Sequence, residues 1–238
     1  MKELISSGLE ALGLTGSVPP DAAEKLAEYG RLLLEKNQVM NLTAIRDEAG
    51  VARLHMLDCA ALLPCADLTG ARTLLDVGTG AGFPGLPLKI LLPQLDVTLL
   101  DSLNKRVDWL NEVSAQLGLT GVRAIQGRAE EKALEKSMRD SFDLVTARAV
   151  ADLRLLSELC LPFVKVGGRF LAMKSMDSDQ ELDQAAHAIK LLGGRVRDVK
   201  DYAIPGADVT HRLVIVEKVA PTLKGYPRRW AKIQKAPL

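Results

Sequence analysis

The sequence predicts an α/β protein with a mostly parallel sheet and a helical segment in front of it. Two observations support this fold class. From Arg72 onward, short apolar runs alternate with stretches of helical periodicity over five units, a pattern typical of a parallel sheet with helices on both faces. Before Arg72, the apolar residues recur at helical spacing only, so this region is expected to form a helical cap.

The cap is predicted to contain three helices. The first is the opening stretch MKELISSGLEALG, which carries acidic residues and lacks the charged-then-apolar order of a signal peptide. Asp21 is expected to cap the second helix. After the turn-like stretch QVMNLTAIRD, the third helix is predicted from Glu48 to Leu63, where Pro64 would stop it.

The predicted parallel strands are RTLLDV, DVTLLD, VRAIQG, FDLVTARAV and GRFLAMKS. Apolar residues from Leu103 to Leu117 mark the helix after the second run, and Gly118 ends it. A later helix is expected over residues 179–192. The runs GRVRDVKDYA and THRLVIVEKV then predict an antiparallel hairpin that closes one edge of the sheet.

Composition and cysteine usage narrow the class of protein. The chain has 238 residues, of which 47% are hydrophobic and 26% are charged, so it is too apolar for a disordered protein. Its apolar segments are too short to span a membrane. The three cysteines form no CxxC pair, so we expect neither a disulfide framework nor a cysteine-based zinc site, and we predict a cytoplasmic protein.

The net charge of +1 conceals a segregation along the chain. Residues 1–71 hold six basic and ten acidic residues, a balance of −4, whereas residues 211–238 hold seven basic residues and one acid, a balance of +6. A basic end suits a polyanion, because binding phosphates releases counterions, but a solvated tail is an equal alternative. We predict a cap over residues 1–70, a core over 71–218 and a basic tail over 219–238.

The stretch Asp76-x-Gly78-x-Gly80-x-Gly82 follows the first predicted strand, where α/β sheets bind ligands. The residues from Gly80 to Gly85 also satisfy GxGxxG, a weak dinucleotide signal. A carboxylate before the loop would repel a pyrophosphate, whereas it suits S-adenosylmethionine, whose amino-acid end carries an ammonium and a sulfonium. The pattern therefore favours a Rossmann-like class I methyltransferase, with Asp76 on the ligand side rather than capping the next helix.

Two further positions extend the predicted cofactor site. Asp101 ends the second strand and would accept hydrogen bonds from both ribose hydroxyls, although an NAD enzyme uses such an acid equally. The turn Gly127-Arg128-Ala129-Glu130 follows the third strand, where backbone amides and a carboxylate could bind the adenine edge. A first-turn acid on the next helix is an equal interpretation of Glu130.

The fourth strand and the cysteines reduce the range of possible methyl acceptors. The strand ends in TARAV and lacks the Asn/Asp-Pro-Pro-aromatic motif of enzymes that methylate exocyclic amines. Cys59, Cys65 and Cys160 lie away from predicted strand ends and are expected to be structural thiols, so covalent activation of a pyrimidine is not expected. What remains is an acceptor that is already nucleophilic and needs alignment more than proton removal.

Seven motifs, spread over nearly the whole chain, together resemble the RsmG (GidB) family. In the core they are DVGTGAGFPGLPL, TLLDSLNKRVDWL, the Gly-Arg-Ala-Glu turn, TARAV and FLAMKS, and in the cap they are NLTAIRD and HMLD. This resemblance implies a bacterial enzyme that methylates N7 of a guanine in 16S rRNA (guanine 527, in the 530 loop), using S-adenosylmethionine. Guanine N7 has a free lone pair, so no general base is needed. By motif, the implied cofactor-binding residues are Gly78, Gly80, Phe83, Asp101, Ala129, Glu130 and Arg148.

Other residues receive secondary roles. Arg148 could also orient the guanine or its phosphate, with a strand-end salt bridge as the alternative. Lys174 and Arg212 are weaker candidates for contact with RNA. His55 and Asp58 share one helix face, but no third metal ligand is evident, so a structural hydrogen bond is preferred and no metal is expected.

Trp230 lies among Arg228, Arg229 and Lys232, a setting that suits stacking on single-stranded RNA, whereas Trp109 is expected in the core. The predicted partner is 16S rRNA or the small ribosomal subunit, and we expect a monomer with no membrane or DNA partner. Two other functions stay open. An NAD-dependent oxidoreductase would need a His or Tyr near a strand end, and the intact glycine motif argues against a non-catalytic RNA-binding assembly protein.

Overall fold

The computed structural model describes residues 1–148 and 151–238, with the backbone only at Asp177. Its strands are β1 (Thr73–Val77), β2 (Asp96–Asp101), β3 (Val122–Gln126), β4 (Phe142–Arg148), β5 (Val164–Ser175), β6 (Gly194–Ala203) and β7 (Thr210–Lys218). They form one sheet in the order β3-β2-β1-β4-β5-β7-β6. Strands β1 to β5 pair in parallel, and β7 and β6 follow as antiparallel strands at the edge.

This sheet confirms the predicted fold class, including the late antiparallel hairpin at one edge. The fourth predicted strand, FDLVTARAV, is described as far as Arg148, and its last two residues, Ala149 and Val150, lie outside the described residues.

The helices before the sheet are α1 (Lys2–Ala11), α2 (Ala22–Met40), α3 (Glu48–Val51), a π-helical turn (Ala52–Leu57), α4 (Asp58–Ala60) and α5 (Leu62–Cys65). The later helices are α6 (Gly85–Leu91), α7 (Asn104–Gln116), α8 (Ala129–Lys132), α9 (Leu153–Cys160), α10 (Asp179–Leu191) and α11 (Trp230–Lys235). Short 3-10 turns cover Leu161–Phe163 and Met176–Ser178. Among the described residues, no helix has the length and apolar character needed to cross a membrane.

Two predictions for the cap are wrong in detail. Asp21 makes no side-chain cap bond to α2 and instead pairs with Lys25 at 2.9 Å. The third predicted helix is interrupted by the π-helical turn, and its last part runs through Pro64 to Cys65. Pro64 is tolerated because it lies in the first turn of α5, where a backbone N–H has no partner within the helix.

Successive strand residues pack into two different buried clusters, which places helices on both faces of the sheet. Leu74 and Leu144 belong to the cluster that contains the cap, whereas Leu75 and Val145 belong to the cluster under α9. Because the side chains of a strand alternate between the two faces, a shift of one residue in strand register would move each of these side chains into the other cluster. The cap therefore shares one continuous apolar core with the sheet.

The cap is also fastened directly to the loop after β1. The Tyr29 hydroxyl donates to the carbonyl oxygen of Ala81 at 2.6 Å, and its ring lies 5.2 Å from that of Phe83. Gly82 permits this approach, because a Cβ there would lie 2.6 Å from the Tyr29 hydroxyl oxygen. Trp109 points its indole N–H to the same Ala81 carbonyl at 3.4 Å and is buried, as predicted for a core residue.

Candidate active site

A cavity of about 360 Å³ opens at the carboxyl ends of β1, β2 and β3, and we call it the strand-end cavity. Its lining includes five of the seven residues predicted to bind the cofactor: Gly78, Asp101, Ala129, Glu130 and Arg148. They come together because parallel strands end at one edge of the sheet, and the strand order reverses between β1 and β4. The other two, Gly80 and Phe83, do not belong to the described lining, but they contact Asp101 and Arg148, respectively.

The loop after β1 depends on the backbone freedom of glycine. Gly78 and Gly80 have φ values of 68° and 60°, in the left-handed region that favours glycine. The N–H groups of Gly78 and Thr79 both donate to the carbonyl oxygen of Leu100, at 2.9 and 3.1 Å, and hold the loop against the end of β2. A Cβ on Gly80 would meet only one atom, 3.9 Å away, so its requirement is conformational rather than steric.

The buried side chain of Asp76 stabilises this loop through hydrogen bonds, and the prediction that its carboxylate faces the ligand is wrong. Its carboxylate is fully buried. One oxygen accepts from the Thr79 hydroxyl at 2.6 Å and from the N–H of Gly85, the first residue of α6, at 3.0 Å. The other accepts from the Thr146 hydroxyl at 3.0 Å. Burial raises the pKa of Asp76 to about 6, although these hydrogen bonds favour the ionised form.

Asp101 is held at the cavity by the backbone. Its Oδ1 accepts from the N–H of Leu103 at 2.9 Å, and its Oδ2 accepts from the N–H of Gly80 at 3.0 Å and from Arg106 at 3.2 Å. Each carboxylate oxygen can accept two hydrogen bonds. Oδ1 therefore keeps one acceptor position for a ligand, whereas Arg106, which is partly exposed, occupies the second position of Oδ2.

The turn after β3 brings backbone and carboxylate to the same cavity. The N–H of Gly127 donates to the carbonyl oxygen of Asp101 at 3.0 Å, which fixes the turn beside β2. Glu130 lies in the first turn of α8, as one of the two interpretations predicts, and it also lines the cavity. Its carboxylate lies 3.9 Å from the Arg128 guanidinium.

A second cavity, of about 370 Å³, lies on the other side of Arg148, and we call it the second-side cavity. Its lining comes from the cap, β4, β5 and β7 and consists of Leu54, His55, Asp58, Arg148, Met173, Lys174, Ser175 and His211. Among the described residues, Arg148 is the one that lines both cavities. The two cavities therefore meet at this residue, at the end of β4.

The Arg148 guanidinium is fixed by the cap. It donates to the Leu54 carbonyl at 3.2 Å, to Asp58 at 3.1 Å and to Nδ1 of His55 at 3.1 Å. It also lies 4.8 Å above the centre of the Phe83 ring. Nδ1 of His55 also lies 3.0 Å from the Leu54 carbonyl oxygen. It accepts from Arg148 in the tautomer that carries its proton on Nε2, where this N–H can donate to the Thr43 hydroxyl at 2.8 Å. Burial and the Arg148 charge lower the pKa of His55 to about 4, which keeps this ring neutral.

Asp58 is the central acceptor of this cluster. It accepts from Arg148, from the Tyr202 hydroxyl at 2.9 Å and from Nδ1 of His211 at 2.8 Å. Burial by itself would raise the pKa of Asp58, but the His211 hydrogen bond, the Arg148 charge and the Tyr202 hydrogen bond together hold it below its usual value. Asp58 thus balances the Arg148 charge.

His55 and Asp58 do act through hydrogen bonds, as predicted, but each bonds to Arg148 rather than to the other. Among the described residues, no group of His, Cys, Asp and Glu could hold a metal ion. Tyr202 and His211 were missed by sequence reasoning, because they lie more than 140 positions from Asp58 along the chain and carry no motif of their own.

Two weaker candidates for contact with RNA have ion-pair partners within the protein. Arg212 is ion-paired with Asp179 and Asp201, so its charge is compensated. Lys174 lines the second-side cavity but also pairs with Glu181 at 2.6 Å.

In the tail, Arg228 and Trp230 both contact the core of the protein. The Arg228 guanidinium is paired with the buried Glu158 at 2.6 Å. Trp230 lies in the lining of the strand-end cavity.

The cysteines fit the structural role predicted for them. All three are free thiols, and Cys59 and Cys160 are fully buried. Burial raises the pKa of both thiols well above the usual value. Cys65 is half-buried at the end of α5. The described linings of the two cavities contain none of them.

Solved structures share the fold of this chain. The mitomycin 7-O-methyltransferase MmcR superposes with a TM-score of 0.55, covers 91% of this chain and 68% of its own, and is 17% identical. TrmN from Thermus thermophilus superposes with a TM-score of 0.52, covers 68% of this chain and 48% of its own, and is 24% identical. At these identities the likeness concerns the fold.

Sequence comparisons identify the family as well as the fold. A ribosomal RNA small subunit methyltransferase G from Clostridium beijerinckii is 44% identical over 236 residues, which cover 99% of this chain and 98% of that protein. A protein of the same name from Alkaliphilus metalliredigens is 44% identical over 237 residues, with 100% and 98% covered. The sequence model of GidB, described as rRNA small subunit methyltransferase G, matches residues 22–209. With its glycine loop and strand-end cavity in place, this chain belongs to the GidB family of rRNA small subunit methyltransferases.

Proposed function

We propose that this protein transfers a methyl group from S-adenosylmethionine to N7 of a guanine in 16S rRNA, at guanine 527 of the 530 loop. The observation that carries this proposal is the pair of cavities that meet at Arg148. A donor in the strand-end cavity and a base in the second-side cavity would face each other at the end of β4. Membership of the GidB family supports the reaction class.

The strand-end cavity fits S-adenosylmethionine by size and by chemistry. Its 360 Å³ falls within the range of about 300–1,000 Å³ typical of small-molecule sites. Asp101 has an acceptor position for the ribose hydroxyls, and the loop at Gly78 brings bare backbone to the amino-acid end. Ala129 and Glu130 would bind the adenine edge. When bound, the cofactor supplies a methyl group on a positively charged sulfur.

In this proposal Arg148 aligns the acceptor and does not move a proton. A guanidinium has five N–H donors, and three of its hydrogen bonds go to protein atoms. The others can bind the guanine or its phosphate. Because N7 carries a lone pair, alignment of the two reactants is the main requirement, and misplacement by about 1 Å can cost about a hundredfold in rate. Asp58, His55 and Phe83 keep the guanidinium in one place.

We further propose that the chain works as a cytoplasmic monomer on 16S rRNA or the small subunit, without DNA or membrane. In this view residues 1–70 are the cap that fixes Arg148, residues 71–218 are the catalytic core, and residues 219–238 are the tail. The exposed cations Arg229, Lys232 and Lys235 would bind rRNA phosphates.

Two measurements test this function. Calorimetry should show binding of S-adenosylmethionine and none of NAD, and Asp101→Ala should weaken it by about 1.5–3 kcal/mol, the value of charge-assisted hydrogen bonds. N7 methylation makes the nucleotide sensitive to borohydride and aniline. A host that lacks the protein should lose one such cleavage site in the 530 loop, and expression of the protein should restore it. Cleavage that persists without the protein would refute the acceptor.

A further inference from the structure

The segment after β7, residues 219–238, lies outside the part of the chain that the family model matches, yet it is fastened to the core by buried charges. Immediately before it, the last residue of β7, Lys218, is fully buried and donates to Asp140 at 2.7 Å, to the Leu161 carbonyl at 2.6 Å and to the Thr222 hydroxyl at 2.7 Å. A buried ammonium is tolerated only when its donors are satisfied. This end of the segment therefore has one defined position.

Two arginines fasten the rest of the segment. Arg139 donates to the carbonyl oxygens of Thr222 and Tyr226, at 2.9 and 2.7 Å. Arg228 binds both carboxylate oxygens of Glu158, at 2.8 and 2.6 Å, and its backbone N–H donates to the same carboxylate at 2.8 Å. Glu158 lies on α9 and is fully buried, so this bidentate pair is among the stronger kinds.

These contacts place one face of α11 inside the protein. Ile233 is fully buried, and Trp230, three residues earlier on the same face, packs against the cluster under α9 and lines the strand-end cavity. Lys232 and Lys235 lie on the exposed face. A tail that only carried charge would have no reason to pack an indole at a cavity lined by Gly78 and Ala129.

We propose that Trp230 is a cofactor-binding residue whose indole packs on the adenine of S-adenosylmethionine, and that the Glu158–Arg228 pair positions it. This inference rests on the proposed function of the strand-end cavity. The adenine end is assigned because α9 packs against both α8, which contributes Ala129 and Glu130 to the cavity, and α11, which contributes Trp230. A flat aromatic ring can stack on the face of a purine whatever hydrogen bonds the edge of that purine makes.

Calorimetry on the full chain tests the proposal with S-adenosylmethionine and S-adenosylhomocysteine. Trp230→Ala should raise the Kd of both ligands about tenfold to a hundredfold, the value of one base–aromatic stack, and Trp230→Phe should recover part of the loss. Gln234→Ala, an exposed change on the same helix, should leave both Kd values unchanged. Unchanged Kd values for Trp230→Ala would overturn the proposal. A loss confined to the sulfonium ligand would overturn the adenine assignment.

Fluorescence separates positioning from folding. The chain has two tryptophans, so in a Trp109→Phe background the emission reports Trp230 alone, and ligand binding should change it. Glu158→Gln should reduce this change while the circular dichroism spectrum keeps its shape. If wild-type protein binds no S-adenosylmethionine, the proposed function fails. If it binds and Trp230→Ala weakens only rRNA binding, the inference fails and the function stands.

Discussion

Replacing Asp76 with Asn should remove a large pH-dependent part of the stability. The pKa of Asp76 rises from 3.8 to about 6 in the folded protein. The unfolded chain therefore releases this proton first, and stability is full below pH 3.8 and falls as the pH rises through 6. Each pKa unit corresponds to about 1.36 kcal/mol, so ionisation of Asp76 lowers the free energy of unfolding by about 3 kcal/mol between about pH 4 and about pH 7.

An asparagine keeps the geometry of this site while removing the titration. Its side-chain oxygen can accept from the Thr79 hydroxyl and the Gly85 N–H, as Asp76 Oδ2 does. Its amide can donate to the Thr146 hydroxyl, which can in turn donate to the Leu75 carbonyl 3.5 Å away. Urea unfolding of both proteins at several pH values gives the two stability curves. The difference between them, wild type minus Asp76→Asn, should fall by about 3 kcal/mol over this range.

Asp143 provides a control with the opposite sign. Burial by itself would raise the pKa of Asp143, but hydrogen bonds from Lys165 and from the backbone of Arg72 and Thr73 lower it to about 2. Its contribution is therefore present above its unfolded pKa and lost as the pH falls through 2. The difference curve for Asp143→Asn should fall toward acid. Parallel curves for wild type and Asp76→Asn would show that the carboxylate is not buried as described.

Three further predictions concern the site and its rRNA. Gly78→Val should abolish S-adenosylmethionine binding by calorimetry, because valine strongly resists a φ of 68°; normal affinity would refute the loop assignment. Arg148→Ala should reduce single-turnover methylation of rRNA about a hundredfold, and Arg148→Lys should restore little, because lysine lacks the planar fork; a full rate in either variant would refute positioning. Changing Arg229, Lys232 and Lys235 to Gln should weaken rRNA binding and reduce its salt dependence without altering the cofactor Kd. An unchanged salt dependence would show that these three residues are solvated and do not contact rRNA phosphates.

Local pattern was enough to predict the sheet and the position of the glycine loop after β1. The apolar runs that end at Val77 and Asp101 set two neighbouring strand ends, and parallel strands with helical crossovers must bring such ends to one edge. The edge hairpin followed from two alternating runs joined by a short turn. These features depend on residues close together in the chain, where spacing and backbone preference decide the outcome.

Only the tertiary structure decided which way side chains face and which distant residues meet. Asp76 turned inward because two hydroxyls and an N–H of its own loop and of β4 surround it there, a choice that the glycine pattern does not encode. Asp58, Arg148 and His211 meet although 153 positions separate the outer two. Trp230 lines the strand-end cavity, and the neighbouring Arg228 pairs with the buried Glu158. A buried charge requires a partner wherever the fold can bring one, and sequence spacing alone does not reveal that partner.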